Sequence, residues 1–327
     1  MTRPIRNVPE SVKQRLSNLA RTRGVTVNEV LQFYAMERFL YRLGRSTHRD
    51  RLLLKGALLL QAWRLVQSRT TRDIDLLGKT GNSLDNVSQM IAEVCALDYS
   101  HEDGMIYDSD TIQAVRIKEE AEYEGVRVLF DAHLGSARLP MQIDIGFNDV
   151  VTPKPQPLEY PPLLDSPAPT LMGYTPETMI AEKIEAMIVL DVLNSRMKDF
   201  FDVWLLSRHL AFDLQALASA HRNTLTRRGT PLYGIPTLLE APDQHPAKEK
   251  QWSAFVRKSN LGNAPAHFND VAQAVRAFVE PALNVLIADQ PAPNRSWIPP
   301  GPWGPPNDHP VGDRKQATAP PKRSRHA

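Results

Sequence analysis

Cysteine is almost missing: among 327 residues only Cys95 is present. An internal disulfide is thereby excluded, and so is a metal site built on several thiolates. Cys95 lies in the apolar-periodic stretch MIAEVCAL, where a small core residue is expected rather than a reactive thiol. No uninterrupted apolar run reaches the length of a membrane span, and no charged-then-apolar segment follows Met1. The expectation is a chain of the reducing cytoplasm with no membrane partner. Internal repeats are lacking, and net charge is small, at +2.

That small net charge hides an uneven distribution. Residues 1–72 hold fifteen Lys or Arg against four Asp or Glu, a formal +11. Gathered on one face, such charge attracts polyanions; spread over helices, it is an ordinary solvated surface. With 42% hydrophobic and 23% charged residues, the chain can bury cores for two domains of modest size.

Helical periodicity fills residues 1–50. PESVKQRLSNLARTRG places Val12, Leu16 and Leu19 on one face with Gly24 as a stop, and VNEVLQFYAMERFLYRLGRS places Val30, Leu31, Tyr34, Phe39 and Leu43 on another, ending before Gly44. Thr26 can cap the second helix. The basic pair has the outline of a helix-turn-helix, although packing elements of this kind outnumber DNA readers. Residues 51–152 mix helix and strand: LLLKGALLLQAWRLV, then RDIDLLG, the helix LDNVSQMIAEVCAL, and strands over 112–118, 124–134 and 140–147, with a turn near Tyr123 to Gly125. A Pro-rich stretch at 153–174 predicts a linker, and residues 175–289 read helical, with Thr175 as N-cap and Pro176 at the first position. Residues 290–327 hold ten of the 27 prolines, so a disordered basic tail is expected. The fold class is α+β: a small mixed sheet flanked by helices, followed by a helical domain.

The chemistry sits in RDIDLLG. Residues two apart on a strand share a face, so Asp73 and Asp75 project together while Ile74 and Leu76 pack. Two adjacent carboxylates raise each other's pKa at about 1.4 kcal/mol per unit, a cost that a divalent cation removes. Mg²⁺, or Mn²⁺ in its place, takes carboxylate oxygens together with phosphate and water. Asp144 in MQIDIGF has the same apolar setting and becomes a third ligand or a base if its strand lies beside the first; Asp149 ranks behind it. Upstream, Lys55-Gly56-Ala57 opens a helix, where small residues let phosphate approach backbone N–H groups. An exposed strand end without function remains the plain alternative for Asp-x-Asp.

KGALLLQAW, RTTRDIDLLG, MQIDIGF, AEKIEA and RMKDFFDVWLLSR, in that order over residues 50–210, resemble the AbiEii/AbiGii toxin family of the DNA-polymerase-β-like nucleotidyltransferase superfamily. The resemblance implies an abortive-infection toxin that transfers a nucleoside monophosphate from an NTP to an RNA such as a tRNA 3′ end, or to a protein hydroxyl. It implies Mg²⁺ or Mn²⁺ on Asp73, Asp75 and Asp144, and a cognate antitoxin with a winged-helix DNA-binding region. Lys183 matches the lysine that contacts the triphosphate, and Asp199 and Asp202 match the last acidic motif. Lys55, Gly56, Ala57 and Arg72 complete the nucleotide-binding set. One departure stands out: the superfamily loop often reads Gly-Ser, and Ala57 removes that hydroxyl. Read without the family, Lys183 can equally snorkel to solvent. Asp199 and Asp202 can equally form an ion-pair network with Arg196 and Lys198. A degenerate, non-catalytic module that binds nucleotide or RNA is the competing function.

Overall fold

A computed structural model describes residues 7–65, 70–119 and 123–306. Helix α1 (Val8–Arg23) starts where the Asn7 side chain accepts the Glu10 N–H at 3.1 Å, and ends at Gly24 in the left-handed region, φ +66°. Helix α2 (Val27–Arg45) is capped by Thr26, as its sequence predicts. It does not stop before Gly44. A Cβ there would lie 2.2 Å from the Thr170 carbonyl oxygen, so the glycine serves close approach instead of termination.

From Tyr34 to Gly44, α2 is buried on all sides. Its charges are consumed internally: Arg42 forks onto Asp103 at 2.7 and 3.2 Å, and Glu37 pairs with Arg38 at 2.6 Å. Most of the helix thus serves packing, the role the sequence favours over DNA reading. Part of the +11 excess is therefore structural.

The main sheet takes β1 (Leu52–Lys55), β2 (Ile74–Gly78), β3 (Met105–Glu119), β4 (Tyr123–Leu134), β5 (Ala137–Phe147), β6 (Gln156–Glu159) and β7 (Thr170–Gly173). Their order is β3-β4-β5-β2-β1-β7-β6. The β5–β2 and β1–β7 pairs are parallel and the others antiparallel, a mixed sheet. Helices α3 (Leu58–Ala62), α4 (Leu84–Cys95) and α5 (Ser100–Asp103) fill its connections. Alternate residues of β4, Val126, Val128, Phe130 and Ala132, are buried, and the Phe130 ring meets Phe39 of α2 at 5.7 Å. Tyr123 to Gly125, near which a turn is expected, all lie within β4, opposite Glu119, Lys118 and Ile117; residues 120–122 lie outside the described residues.

The Pro-rich stretch 153–174 carries β6 and β7 and so extends the sheet. Pro157 is tolerated because β6 is an edge strand, where a missing N–H need not break a ladder. Beyond it stand α6 (Pro176–Leu190), α7 (Met197–His209), α8 (Leu214–Arg228), α9 (Thr237–Glu240), α10 (Pro246–Lys258) and α11 (Phe268–Ile287). A small second sheet joins β8 (Phe212–Asp213), β9 (Ser296–Trp297) and β10 (Trp303–Gly304).

This sheet orders the start of the segment expected to be disordered. The Trp297 and Trp303 indoles are buried and donate to the Ser207 and Phe278 carbonyls at 2.6 and 2.8 Å. Two large aromatic groups with satisfied N–H donors outweigh the local proline content. Residues 307–327 lie outside the described residues. The architecture is α+β, a mixed sheet flanked by helices with a helical C-terminal region. Among the described residues no helix is long and apolar enough to cross a membrane.

Candidate active site

Directly opposed residues of neighbouring strands share a face of the sheet. Register therefore builds one transverse row: Lys55 on β1 faces Asp75 on β2, Asp75 faces Asp144 on β5, and Asp144 faces Arg127 on β4. Asp73 precedes β2 by one residue and lies on the same side. One carboxylate oxygen from each of Asp73, Asp75 and Asp144 comes within 4.8 Å of the others. Two ligands of one Mg²⁺ are at most about 4.2 Å apart, so small side-chain shifts suffice, and an all-oxygen donor set suits a hard cation. The residues fit such an ion.

Their neighbours set the orientation of these carboxylates. Asp144 accepts Arg127 Nε at 2.8 Å and Nη2 at 2.7 Å, and Gln142 Nε2 at 3.1 and 3.3 Å. The Thr71 hydroxyl donates to Asp73. Hydrogen bonding to Asp144, with the charges of Asp73 and Asp75 beyond, holds the Arg127 guanidinium pKa above its ordinary value. Supporting bonds of this kind are what a ligating carboxylate needs to keep its geometry.

Gly56 is dictated by this row. Its φ is +71°, and a Cβ would fall 1.9 Å from Asp75 Oδ2. The turn it makes brings the backbone of Gly56 and Ala57 into the cleft lining. Helix α3, which follows, has only five residues, too short for the helix-terminus phosphate site expected from the sequence.

The cleft over the row encloses about 630 Å³ and its opposite wall is helical. Lys183 of α6 meets Asp199 Oδ1 at 2.6 Å and Asp202 Oδ2 at 2.8 Å, both from α7, while Arg196 Nε meets Asp199 Oδ2 at 3.0 Å. Lys183 and Asp199 line the cleft; Asp202 is fully buried behind them. Arg72 is exposed and outside the lining. The structure thus brings Lys55, Gly56, Ala57, Asp73, Asp75, Asp144, Lys183 and Asp199 around one space, with Asp202 as a support and Arg72 apart.

Arg127, Glu182 and Arg228 line the cleft without a mark in the sequence reading, and Asp149, ranked there behind Asp144, lines it too. Arg127 reads as an outward charge in an alternating strand, and only its register with Asp144 gives it a place. Asp149 pairs with Lys55 at 3.5 Å and with Arg228 of α8 at 3.1 Å, and Arg228 continues to Glu185 at 2.8 Å. Burial opposes ionisation of Asp149, but Lys55 and Arg228 prevail and hold its pKa below the ordinary carboxylate range. Glu182, beside them, is pushed up to about 7 by burial and then by the Asp149 charge. A pair of carboxyls driven in opposite directions joins the sheet wall to the helical wall.

The family model for the nucleotidyl transferase AbiEii toxin of type IV toxin–antitoxin systems matches residues 38–279. Among solved structures, a Helicobacter pylori protein described as a candidate nucleotidyltransferase shows 15% identity over 81% of this chain and 97% of its own, with a TM-score of 0.46. Helicobacter pylori JHP933 shows 14% identity over 80% of this chain and 92% of its own, also at 0.46. No curated protein matches. Since the matched span takes in about three quarters of the sequence, from the second half of α2 into α11, the chain belongs to the AbiEii family of nucleotidyl transferase toxins.

Proposed function

We propose that this protein transfers a nucleoside monophosphate from an NTP to a hydroxyl of an RNA acceptor, a tRNA 3′ end being the leading case, as the toxin of a type IV pair. The convergence of Asp73, Asp75 and Asp144 within 4.8 Å, at the head of a cleft with lysines on two sides, carries the reading. A bound Mg²⁺ or Mn²⁺ supplies neutralisation of the triphosphate and acidification of the acceptor hydroxyl.

The chain's own groups do the rest. Lys55 and Lys183 flank the space for the triphosphate, and Asp199 and Asp202 hold the Lys183 ammonium in position. Asp144, fixed by Arg127 and Gln142, takes the acceptor proton. The acceptor oxygen then forms a bond to the α-phosphorus as the bond to the bridging oxygen breaks, and pyrophosphate leaves. A cognate antitoxin with a winged-helix region is the expected genetic partner.

The test is incubation with Mg²⁺, each α-labelled NTP in turn and total tRNA, beside an Asp73→Ala control. Label on RNA 3′ ends that the control lacks is the expected result. No label with any nucleotide, together with undiminished toxicity of Asp73→Ala in cells, overturns the enzyme reading in favour of a binding module.

A further inference from the structure

The transverse row does not end at Arg127. Its next member is Val115 on β3, directly opposite Arg127. Two residues along, Gln113, Leu129 and Gln142 form a second row over the same three strands. Both rows lie on the face opposite the buried Val126, Val128 and Phe130. That outer face is open: Val115 is 46% exposed and Leu129 39% exposed, and Gln113 is exposed as well. None of these three residues takes part in the proposed transfer step.

We propose that this face of β3, β4 and β5 is the platform on which the acceptor lies, and that its occupant is an unpaired 3′-terminal stretch of RNA. The inference rests on the transferase reading above. The row has two ends, and Lys55 and Lys183 flank the space for the triphosphate at one of them. A hydroxyl reaching Asp144 has to come from the other, over β4. That approach offers an apolar pair, Val115 and Leu129, on which flat bases can rest, and amide groups at Gln113 and Gln142 for base edges. Arg127, 37% exposed at its side chain, meets the backbone phosphate next to the reacting end. Sheet surfaces are known platforms for unstacked single-stranded bases. The platform is continuous with the carboxylates, so a bound strand is delivered to Asp144 without a further turn.

The experiment measures fluorescence anisotropy of a labelled single-stranded RNA of about eight nucleotides with a free 3′ hydroxyl. Wild type is compared with the double variant Val115→Glu/Leu129→Glu, and binding of a fluorescent triphosphate is read in parallel. RNA affinity is expected to fall by about tenfold or more while triphosphate affinity stays within about twofold. Equal RNA binding by both proteins, or none by the wild type, overturns the platform. If the double variant loses both ligands, the exposed Gln113→Glu decides: weaker RNA binding with intact triphosphate binding supports the platform, and unchanged RNA binding overturns it. Asp75→Asn separates the two readings. Lost transfer with retained RNA binding is expected, and undiminished transfer by that variant defeats the transferase site without touching the platform result.

Discussion

The two walls of the cleft handle charge differently. On the sheet wall Asp73, Asp75 and Asp144 crowd together with Arg127 paired to Asp144, while Lys55, opposite Asp75 in register, is paired to Asp149. On the helical wall Lys183 and Arg196 balance Asp199 and Asp202, with the buried Asp202 held at 2.8 Å. An anion-rich cluster is poised for a cation brought from solution; a balanced and buried one holds geometry. Removing a carboxylate therefore has opposite consequences on the two sides.

The sharpest break of this comparison is Asp75→Asn. Transfer is expected to drop by about a thousandfold or more. The thermal midpoint should stay level or rise, because one of three crowded negative charges is gone. Label transfer and a thermal melt on the same sample check both halves. Asp202→Ala inverts the pattern: it leaves the Lys183 ammonium with one buried partner fewer and should cost about 3 kcal/mol of stability, read as a lower urea midpoint. Equal destabilisation by the two variants would erase the distinction between the walls.

Gly56→Ala probes the sheet wall through the backbone. The added Cβ meets Asp75 Oδ2 at 1.9 Å in a left-handed turn, so about 2 kcal/mol of destabilisation is expected, with nucleotide binding weakened as Asp75 is displaced. Glu182→Gln is the mildest test and addresses the junction of the walls. The folded-state pKa of Glu182, about 7, lies above its ordinary value of 4.5, so the folded protein binds that proton more tightly than the unfolded chain does. Its contribution to stability is present at low pH and declines as pH rises through that window. Asp149, whose pKa is lowered, acts in the opposite sense and only as pH falls through and below 3.8. Melting temperatures taken from pH 5 to 8 should therefore fall less steeply for Glu182→Gln than for wild type; parallel curves would assign the effect elsewhere.

How far the site could be read in advance follows from how local each signal is. Asp73 and Asp75 are two apart, and Thr26, Gly24 and Thr175 act within one helical turn, so sequence spacing alone places them. Sequence spacing offers Lys183 as a triphosphate contact or a snorkelling charge, and Asp199 and Asp202 as the last acidic motif or an ion-pair network with Arg196 and Lys198. Arg196 does pair with Asp199, but it is Lys183, from the preceding helix, that bridges both aspartates, and Lys183 and Asp199 also face the cleft. Arg127, Arg228 and Glu182 carry no local mark. Each looks like a solvent-facing charge until strand register or helix packing turns it inward. Pro157 and the two tryptophans mislead in the other direction: proline density suggests irregular chain, while an edge position and buried indoles supply order.

The sequence by itself determined the acid pair, its apolar strand setting, the helix caps and the family, because these depend on residues within a few positions or on motifs in fixed order. Tertiary structure alone decided that Asp144 stands beside Asp75 with Arg127 behind it, that Gly56 must be glycine, and that β7 joins the sheet beside β1. The physical reason is register. A shift of one residue between β2 and β5 would send Asp144 to the opposite face, and no local pattern fixes that choice; it is set by the burial of Ile74, Leu76, Ile143 and Ile145 on both strands at once.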